Sequence, residues 1–175
     1  MICRANSSPL ITIDARLASR KVGVNGGEVT QRATESILVH APPEVVYGVA
    51  TAFEHYLDWV SELKKIEVLE RDAAGRPLEV VFRAAAFGRS TTYTLLYDYS
   101  RAPEILAWHQ IKGDVTAELN GQYRFEPAPE GTLLTYDLEV ELSVPIPAFV
   151  RSRAASRIQS QALRELKAQA EAANE

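Results

Sequence analysis

The sequence predicts an α+β fold in which a curved, seven-stranded antiparallel sheet wraps around a long C-terminal helix. The first observation behind this is the alternation of apolar and acidic side chains from Leu134 to Glu141. A period of two indicates a strand with one buried and one hydrated face. The second is an apolar stripe at helical spacing after Pro147. The third is a series of β-rich segments separated by short turn signals, which is typical of an antiparallel meander.

The patterned part of the chain begins near Thr30 with a weakly alternating segment, 31–40, which predicts the first strand. Ala41-Pro42-Pro43-Glu44 is typical of a helix start. Proline fits the first turn of a helix, and an acidic residue there is favoured by the helix dipole. Apolar residues at helical spacing predict one or two short helices between Pro43 and Glu62.

Six further segments are rich in β-forming residues, and turn signals separate most of them. The predicted strands are 65–71, 78–87, 90–99, 105–111, 116–126 and 132–144. Pro145 and Pro147 then end the sheet, because proline has no amide hydrogen to donate to a ladder. The stripe from Val150 to Ala170 predicts the C-terminal helix.

Length and composition favour one domain and exclude several classes of protein. The chain has 175 residues, of which 46% are hydrophobic, with a net charge of −4 and a pI near 5.5. An acidic chain lacks the basic surface that nucleic-acid binding needs. Cys3 is the only cysteine, which excludes an intrachain disulfide framework. No apolar run approaches the roughly 20 residues of a membrane span, so we expect a cytoplasmic protein.

The first 29 residues differ in composition from the rest and are predicted to form a flexible N-terminal extension. An overlong start of the reading frame would give the same pattern, and the arginines faintly resemble an organellar presequence. Residues 30–172 are predicted to form the single folded domain.

A strongly curved sheet bends away from a single helix, so a gap is expected between them, and such gaps bind small molecules. Parity along each strand predicts which side chains face this gap. The predicted ligand-binding residues on the strands are Phe82, Tyr93, Tyr97, Tyr123, Tyr136 and Leu138, and those on the helix are Ile158 and Leu166. Arg153 is a further candidate, for an acidic ligand group at the mouth, although a solvated helix face is the simpler interpretation.

The strand 105–111 is ambiguous, because either Ile105, Ala107 and His109 or Leu106, Trp108 and Gln110 could face inward. With the first parity, His109 is a candidate general base. A hydrogen-bonded core or surface histidine is the commoner role for such a residue. The histidine spacing predicts no metal site, and the absence of a glycine-rich phosphate loop predicts no cofactor.

Four short motifs in order resemble the START/Bet v 1-like superfamily. The segment Ile37 to Tyr47 is similar to its "Ala-Pro-Pro-Glu-x-Val-Tyr" start, and Phe53 to Val60 to its second helix, with Leu57 where proline is usual. Ala128 to Leu134 resembles its last hairpin, and Pro145 to Phe149 its link into the final helix. The branch that it most resembles is the polyketide cyclase/dehydrase and lipid-transport group, related to coenzyme-Q-binding proteins. The resemblance implies a helix-grip fold, but its motifs are structural and specify no reaction.

Three functions remain open at this point. The first is binding of a hydrophobic or amphipathic small molecule, such as a lipid, a quinone or a polyketide. The second is an aromatase/cyclase that uses the tyrosines and His109 on a poly-β-keto chain. The third is a protein-associating module, directed for example to the ribosome, that uses the basic last helix or forms a weak homodimer. We favour the first.

Overall fold

The computed structural model describes residues 30–86, 88–145 and 147–175. The expected extension at residues 1–29 lies outside the described residues. Seven strands form one antiparallel sheet: β1 (Gln31–Val39), β2 (Leu63–Arg71), β3 (Pro77–Ala86), β4 (Arg89–Asp98), β5 (Ile105–Gly113), β6 (Thr116–Ala128) and β7 (Gly131–Leu142). Their order in the sheet is β1-β7-β6-β5-β4-β3-β2. The strands from β2 to β7 form a meander, and β1 extends it by pairing with β7. The sheet is therefore open, with β1 at one edge and β2 at the other. The predicted strands and their hairpin connections are confirmed.

The helices lie between β1 and β2 and after β7. Helix α1 (Pro43–Thr51) is followed by a 3₁₀ turn (Phe53–His55) and by α2 (Tyr56–Trp59). After β7 come the single turn α3 (Ala148–Arg151) and the long helix α4 (Ala154–Ala173). The sequence predicted one helix here, but residues 152 and 153 interrupt it. The fold is the helix-grip fold that the sequence predicted.

The strand β7 shows how alternation sets the two faces of the sheet. Leu134 and Tyr136 are 0% and 5% exposed on the inner face. Asp137 lies on the outer face, where it accepts hydrogen bonds from Thr34 Oγ1 (2.7 Å) and Gln122 Nε2 (3.0 Å). The expected parity of this strand is therefore confirmed.

Helix α4 is held against β1 and β7 by hydrogen bonds as well as by its apolar stripe. The side-chain amide of Gln159, which is fully buried, donates to the backbone carbonyls of Ala33 and Tyr136, both at 2.7 Å. Near the other end of the helix, Lys167 Nζ donates to the carbonyl of Leu38 at 2.7 Å. Each bond joins the helix to a strand more than 20 residues away in sequence. The helix is thereby fixed over the inner face of the sheet, and its position sets the width of the space between them.

Candidate functional site: an aromatic cavity

A cavity of about 160 Å³ lies between the inner face of the sheet and helix α4. Strands β3 to β7 supply its wall, α4 supplies the opposite side, and the segment from Tyr56 to Leu63 borders it. Ligand pockets for drug-sized molecules typically start at about 300 Å³. An apolar cavity of about 150 Å³ is large enough for benzene. In this conformation the cavity therefore suits one aromatic ring or a compact bicycle, and a longer ligand requires the mouth to widen.

The wall of the cavity is a continuous set of aromatic rings. Trp108 lies at its centre, with ring centroids 6.0 Å from Tyr97, 5.1 Å from Tyr123 and 5.6 Å from Tyr136. Gly121, the β6 residue paired with Trp108, lies beneath the indole, and a Cβ there would meet the ring at 2.8 Å. The glycine lies within strand β6. The missing side chain leaves room for the indole and for the backbone carbonyl oxygen of Asp137, which a Cβ would meet at 2.7 Å.

The tyrosine hydroxyls at the inner face fall into two groups. Tyr56 donates to the carbonyl of Ala50 at 2.5 Å, and Tyr99 donates to that of Pro77 at 2.6 Å, so both are satisfied structural residues. The second group lines the cavity and makes no hydrogen bond with the described residues. It comprises Tyr93, Tyr97, Tyr123 and Tyr136. In the described part of the chain, the enclosed side-chain polar atoms without a partner are Arg124 Nε and Gln159 Oε1. The four hydroxyls are not among them, so they open onto the cavity and are available to a molecule there.

Burial sets the protonation state of these hydroxyls. Loss of hydration raises the pKa of Tyr97 and Tyr136 well above the usual value, and neighbouring tyrosines raise both further. Burial likewise raises the pKa of Tyr93 and Tyr123. All four therefore remain neutral at physiological pH, where each has a proton to donate. They can orient a ligand oxygen, but they are poor general bases.

The mouth of the cavity is polar, and a small hydrogen-bond network crosses it. Glu165 on α4 accepts, at Oε1, bonds from Ser61 Oγ (2.5 Å) and from Gln161 Nε2 (2.7 Å). Gln161 Nε2 also donates to Ser61 Oγ at 3.1 Å. Ser61 belongs to the loop between α2 and β2, so this network, which we call the mouth latch, ties that loop to α4.

We expect Ser61→Ala to loosen the mouth latch without unfolding the protein. The hydroxyl is exposed, so its loss should lower the free energy of unfolding by no more than about 1 kcal/mol. Amide hydrogen exchange at residues 60–63 should become faster, because the loop loses a bond to α4. Ser152→Ala is the matched control, since among the described residues that hydroxyl bonds only within its own turn, to the carbonyl of Phe149. Unchanged exchange at residues 60–63 would show that the latch does not hold the loop.

Most of the residues predicted to bind a ligand come together at this cavity. Those that line it are Phe82, Tyr93, Tyr97, Tyr123, Tyr136 and Ile158. Leu138 and Leu166 are buried, at 3% and 2% exposure, but they pack in the core beside the cavity. The parity argument thus placed these side chains on the inner side of the structure, and the curvature of the sheet decides which of them reach the open space.

Two of the predicted site residues, His109 and Arg153, lie outside the lining of the cavity. His109 is exposed, because strand β5 turns Leu106 and Trp108 inward, at 1% and 8% exposure. The larger apolar pair occupies the buried face, so the parity that would have made His109 a general base in the cavity is wrong. Arg153 is exposed at the residue preceding α4, outside the lining of the cavity.

The sequence interpretation missed the residues of the mouth. Glu62 and Leu63 follow α2, and Gln161, Ala162 and Glu165 lie on α4. The three helix residues lie three, four and seven positions after Ile158, so helical spacing from that residue would have found them. Glu62 gives no such signal, since its position depends on where the loop crosses the helix.

The described part of the chain contains neither a cluster of metal-binding side chains nor a helix suited to a membrane span. There, no three His, Cys, Asp or Glu side chains are grouped closely enough to hold a metal ion. Over the same residues, no helix is both long and apolar enough to cross a membrane.

Comparison with known proteins shows the family to which the chain belongs. The model of the family described as polyketide cyclase/dehydrase and lipid transport matches residues 30–171. The chain belongs to this family. The match spans the whole sheet and nearly all of α4, so the cavity lies within the family domain. The START/Bet v 1-like resemblance is thereby confirmed. A search of curated proteins gave no match.

Solved structures share the fold. A START superfamily protein from Mycobacterium smegmatis is 25% identical, with a TM-score of 0.72 over 83% of this chain and 98% of that one. A protein from Thermus thermophilus is also 25% identical, with a TM-score of 0.69 over 83% and 99%. An aromatase/cyclase from a Streptomyces species is 19% identical, with a TM-score of 0.71 over 81% and 94%, and shows likeness of fold alone.

Proposed function

We propose that the protein binds a hydrophobic or amphipathic small molecule, of lipid, quinone or polyketide type, in the cavity between the sheet and α4. The observation that carries this proposal is the set of four cavity-facing tyrosine hydroxyls without a partner among the described residues, set among rings that are otherwise apolar. An apolar wall with a few convergent polar groups is the usual composition of a ligand site. Membership of a family of cyclases and lipid-transport proteins agrees with it.

The test is the thermal stability of the protein in the presence of neutral aromatic ketones, quinones and lipids. A ligand that binds only the folded state and is present at 100 times its Kd adds about 2.7 kcal/mol to stability. For a chain of this length, that should raise the Tm by roughly 5 to 10 °C. Bound ligand should also change the fluorescence of Trp108, which lines the cavity. The absence of both signals across the panel would refute the proposal.

A variant that fills the cavity separates binding at this site from binding elsewhere. Ala162 lines the cavity from α4, so Ala162→Leu should occupy space that a ligand needs. We expect it to reduce the ligand-induced rise in Tm by at least half. Ala168→Leu, on an exposed position of the same helix, is the matched control and should leave the rise unchanged. An equal rise in both variants would place the ligand outside the cavity.

Catalysis by an aromatase/cyclase mechanism would require a group that removes a proton from the bound chain. The tyrosines are held neutral, His109 is outside, and the carboxylates that line the cavity, Glu62 and Glu165, lie at its mouth. We therefore propose binding as the function and not turnover. The arginines of α4, Arg157 and Arg164, are exposed, which is the usual state of a solvated helix face.

A further inference from the structure

The interior of the cavity and its mouth differ in the ligand groups that they can satisfy. Inside, Tyr97 and Tyr136 are 7% and 5% exposed, and their hydroxyls are available as described above. A ligand that covers such a hydroxyl without offering an acceptor oxygen leaves it unpaired, which costs the desolvation of the group. A ligand with an acceptor oxygen in reach avoids this cost. Carbonyl and ether oxygens meet this need without carrying a charge into the cavity.

The charges that line the cavity are all negative. Glu62 and Glu165 border it, and its described lining includes no lysine, arginine or histidine. The nearest basic neighbours in sequence, Lys64 and Arg164, are exposed and outside the lining. Burial is the main cause that raises the pKa of Tyr93, and the negative charge of Glu62 raises it further. The carboxylate at the mouth therefore acts electrostatically on the interior of the cavity. An anionic ligand would meet this potential without a compensating cation.

The carboxylate of Glu165 also has unused capacity. Its Oε1 atom accepts the bonds of the mouth latch from Ser61 and Gln161, whereas Oε2 accepts none from the described residues. A carboxylate oxygen at the rim is suited to a ligand hydroxyl or amine. The mouth therefore tolerates hydrogen-bond donors and cations, and it disfavours carboxylates and phosphates.

We propose that the cavity selects neutral aromatic ligands with a carbonyl or ether oxygen, which the tyrosine hydroxyls bind, and that Glu62 and Glu165 exclude anions. This rests on the proposed function, because it specifies the chemical class of the ligand at the same site. It removes free fatty acids and anionic phospholipids from the range of ligands. It retains aromatic ketones, quinones and aryl ethers.

The experiment compares three probes of nearly equal shape: methyl naphthyl ketone, naphthoate and ethylnaphthalene. Binding is followed at neutral pH by the intrinsic fluorescence of the two tryptophans, of which Trp108 lines the cavity, and by calorimetry. We expect the ketone to bind at least about tenfold more tightly than naphthoate, because an unpaired anion is costly to bury beside two carboxylates. Ethylnaphthalene should fall between them, since it gains the apolar contacts and lacks the acceptor.

Two variants assign the selectivity to residues. Glu62→Gln removes one charge of the mouth without altering the latch and should improve naphthoate binding by about threefold or more, with little effect on the ketone. Glu126→Gln, an exposed residue of β6, removes the same charge away from the cavity and is the control. Tyr136→Phe should weaken the ketone about fivefold and leave ethylnaphthalene unchanged.

The outcomes separate this inference from the proposed function. Equal affinity for the ketone and naphthoate, or a gap that Glu62→Gln and Glu126→Gln change alike, would overturn the charge selection while leaving ligand binding intact. If none of the three probes binds, and the wider panel of ketones, quinones and lipids also gives no shift, the proposed function itself fails.

Discussion

Replacing Phe53 by alanine is expected to lower the free energy of unfolding by about 3–5 kcal/mol, the usual cost of truncating a fully buried phenylalanine. Phe53 is 0% exposed, and its ring centroid lies 4.6 Å from that of Tyr97 and 5.2 Å from that of Tyr56. It fills the space between the short helices and the sheet, so the surrounding strands cannot close the void. Urea denaturation with a two-state fit measures the loss.

Two further variants make the Phe53 result interpretable. Phe53→Leu keeps most of the apolar volume and should cost clearly less than the alanine variant. Leu57→Ala, a nearby position that is 47% exposed, should change stability by no more than about 0.5 kcal/mol. A loss below about 1 kcal/mol for Phe53→Ala would contradict the packing role that we assign to it. Because Phe53 supports Tyr97, the alanine variant should also bind ligands of the cavity more weakly.

Gln159→Glu is expected to be at least as damaging at neutral pH, with a loss of about 3 kcal/mol or more. The native amide donates both of its hydrogens to carbonyl oxygens of β1 and β7. An ionised carboxylate donates none, and it would place a buried charge against two acceptors. The helix that closes the cavity would lose its buried attachment to the sheet, and the neighbouring lining residue Ile158 would lose its fixed position.

The stability of the Gln159→Glu variant should depend on pH, and the direction follows from how burial shifts the pKa of the new carboxyl. Burial raises the pKa of the introduced carboxyl above its unfolded value of about 4.3. The cost of ionisation is therefore absent below about pH 4.3, where the group is protonated in both states, and it grows as the pH rises through that value. Below that value only the loss of one hydrogen bond remains, because a carboxylic acid has one hydrogen to donate where the amide has two. The cost of ionisation becomes constant once the pH exceeds the folded-state pKa.

The difference in stability from the unsubstituted protein, measured at each pH, should show this profile. Gln169→Glu, a half-buried position on the same helix, is the control and should show little pH dependence. A difference that stays constant from about pH 4 to about pH 8 would indicate that the carboxyl reaches solvent. In that case Gln159 would not be the buried attachment that the structure shows.

The inner face could be predicted from sequence alone for strands in which apolar and polar side chains alternate clearly. On β7 and β4, one parity places aromatic rings on the inner face, and the other places charged and hydroxyl side chains there. Burying the rings is favoured by several kcal/mol. Tyr136 and Tyr97 were therefore placed inside correctly. On β5 both parities are partly apolar, so the free-energy difference was not evident from the sequence, and His109 was left open. The structure buries Leu106 and Trp108, and Gly121 opposite Trp108 leaves room for the indole, since a Cβ there would come within 2.8 Å of the ring.

The sequence by itself determined the element order, the faces of the alternating strands and the family, because these depend on period and on local turn chemistry. The tertiary structure alone decided the width of the cavity, the polar mouth and the free tyrosine hydroxyls. Those features depend on how far the sheet curves away from α4 and on where the loop at Ser61 meets Glu165, a contact between residues 104 positions apart. Side chains so distant in sequence leave no periodic signal, because their contact is set by the packing of whole elements.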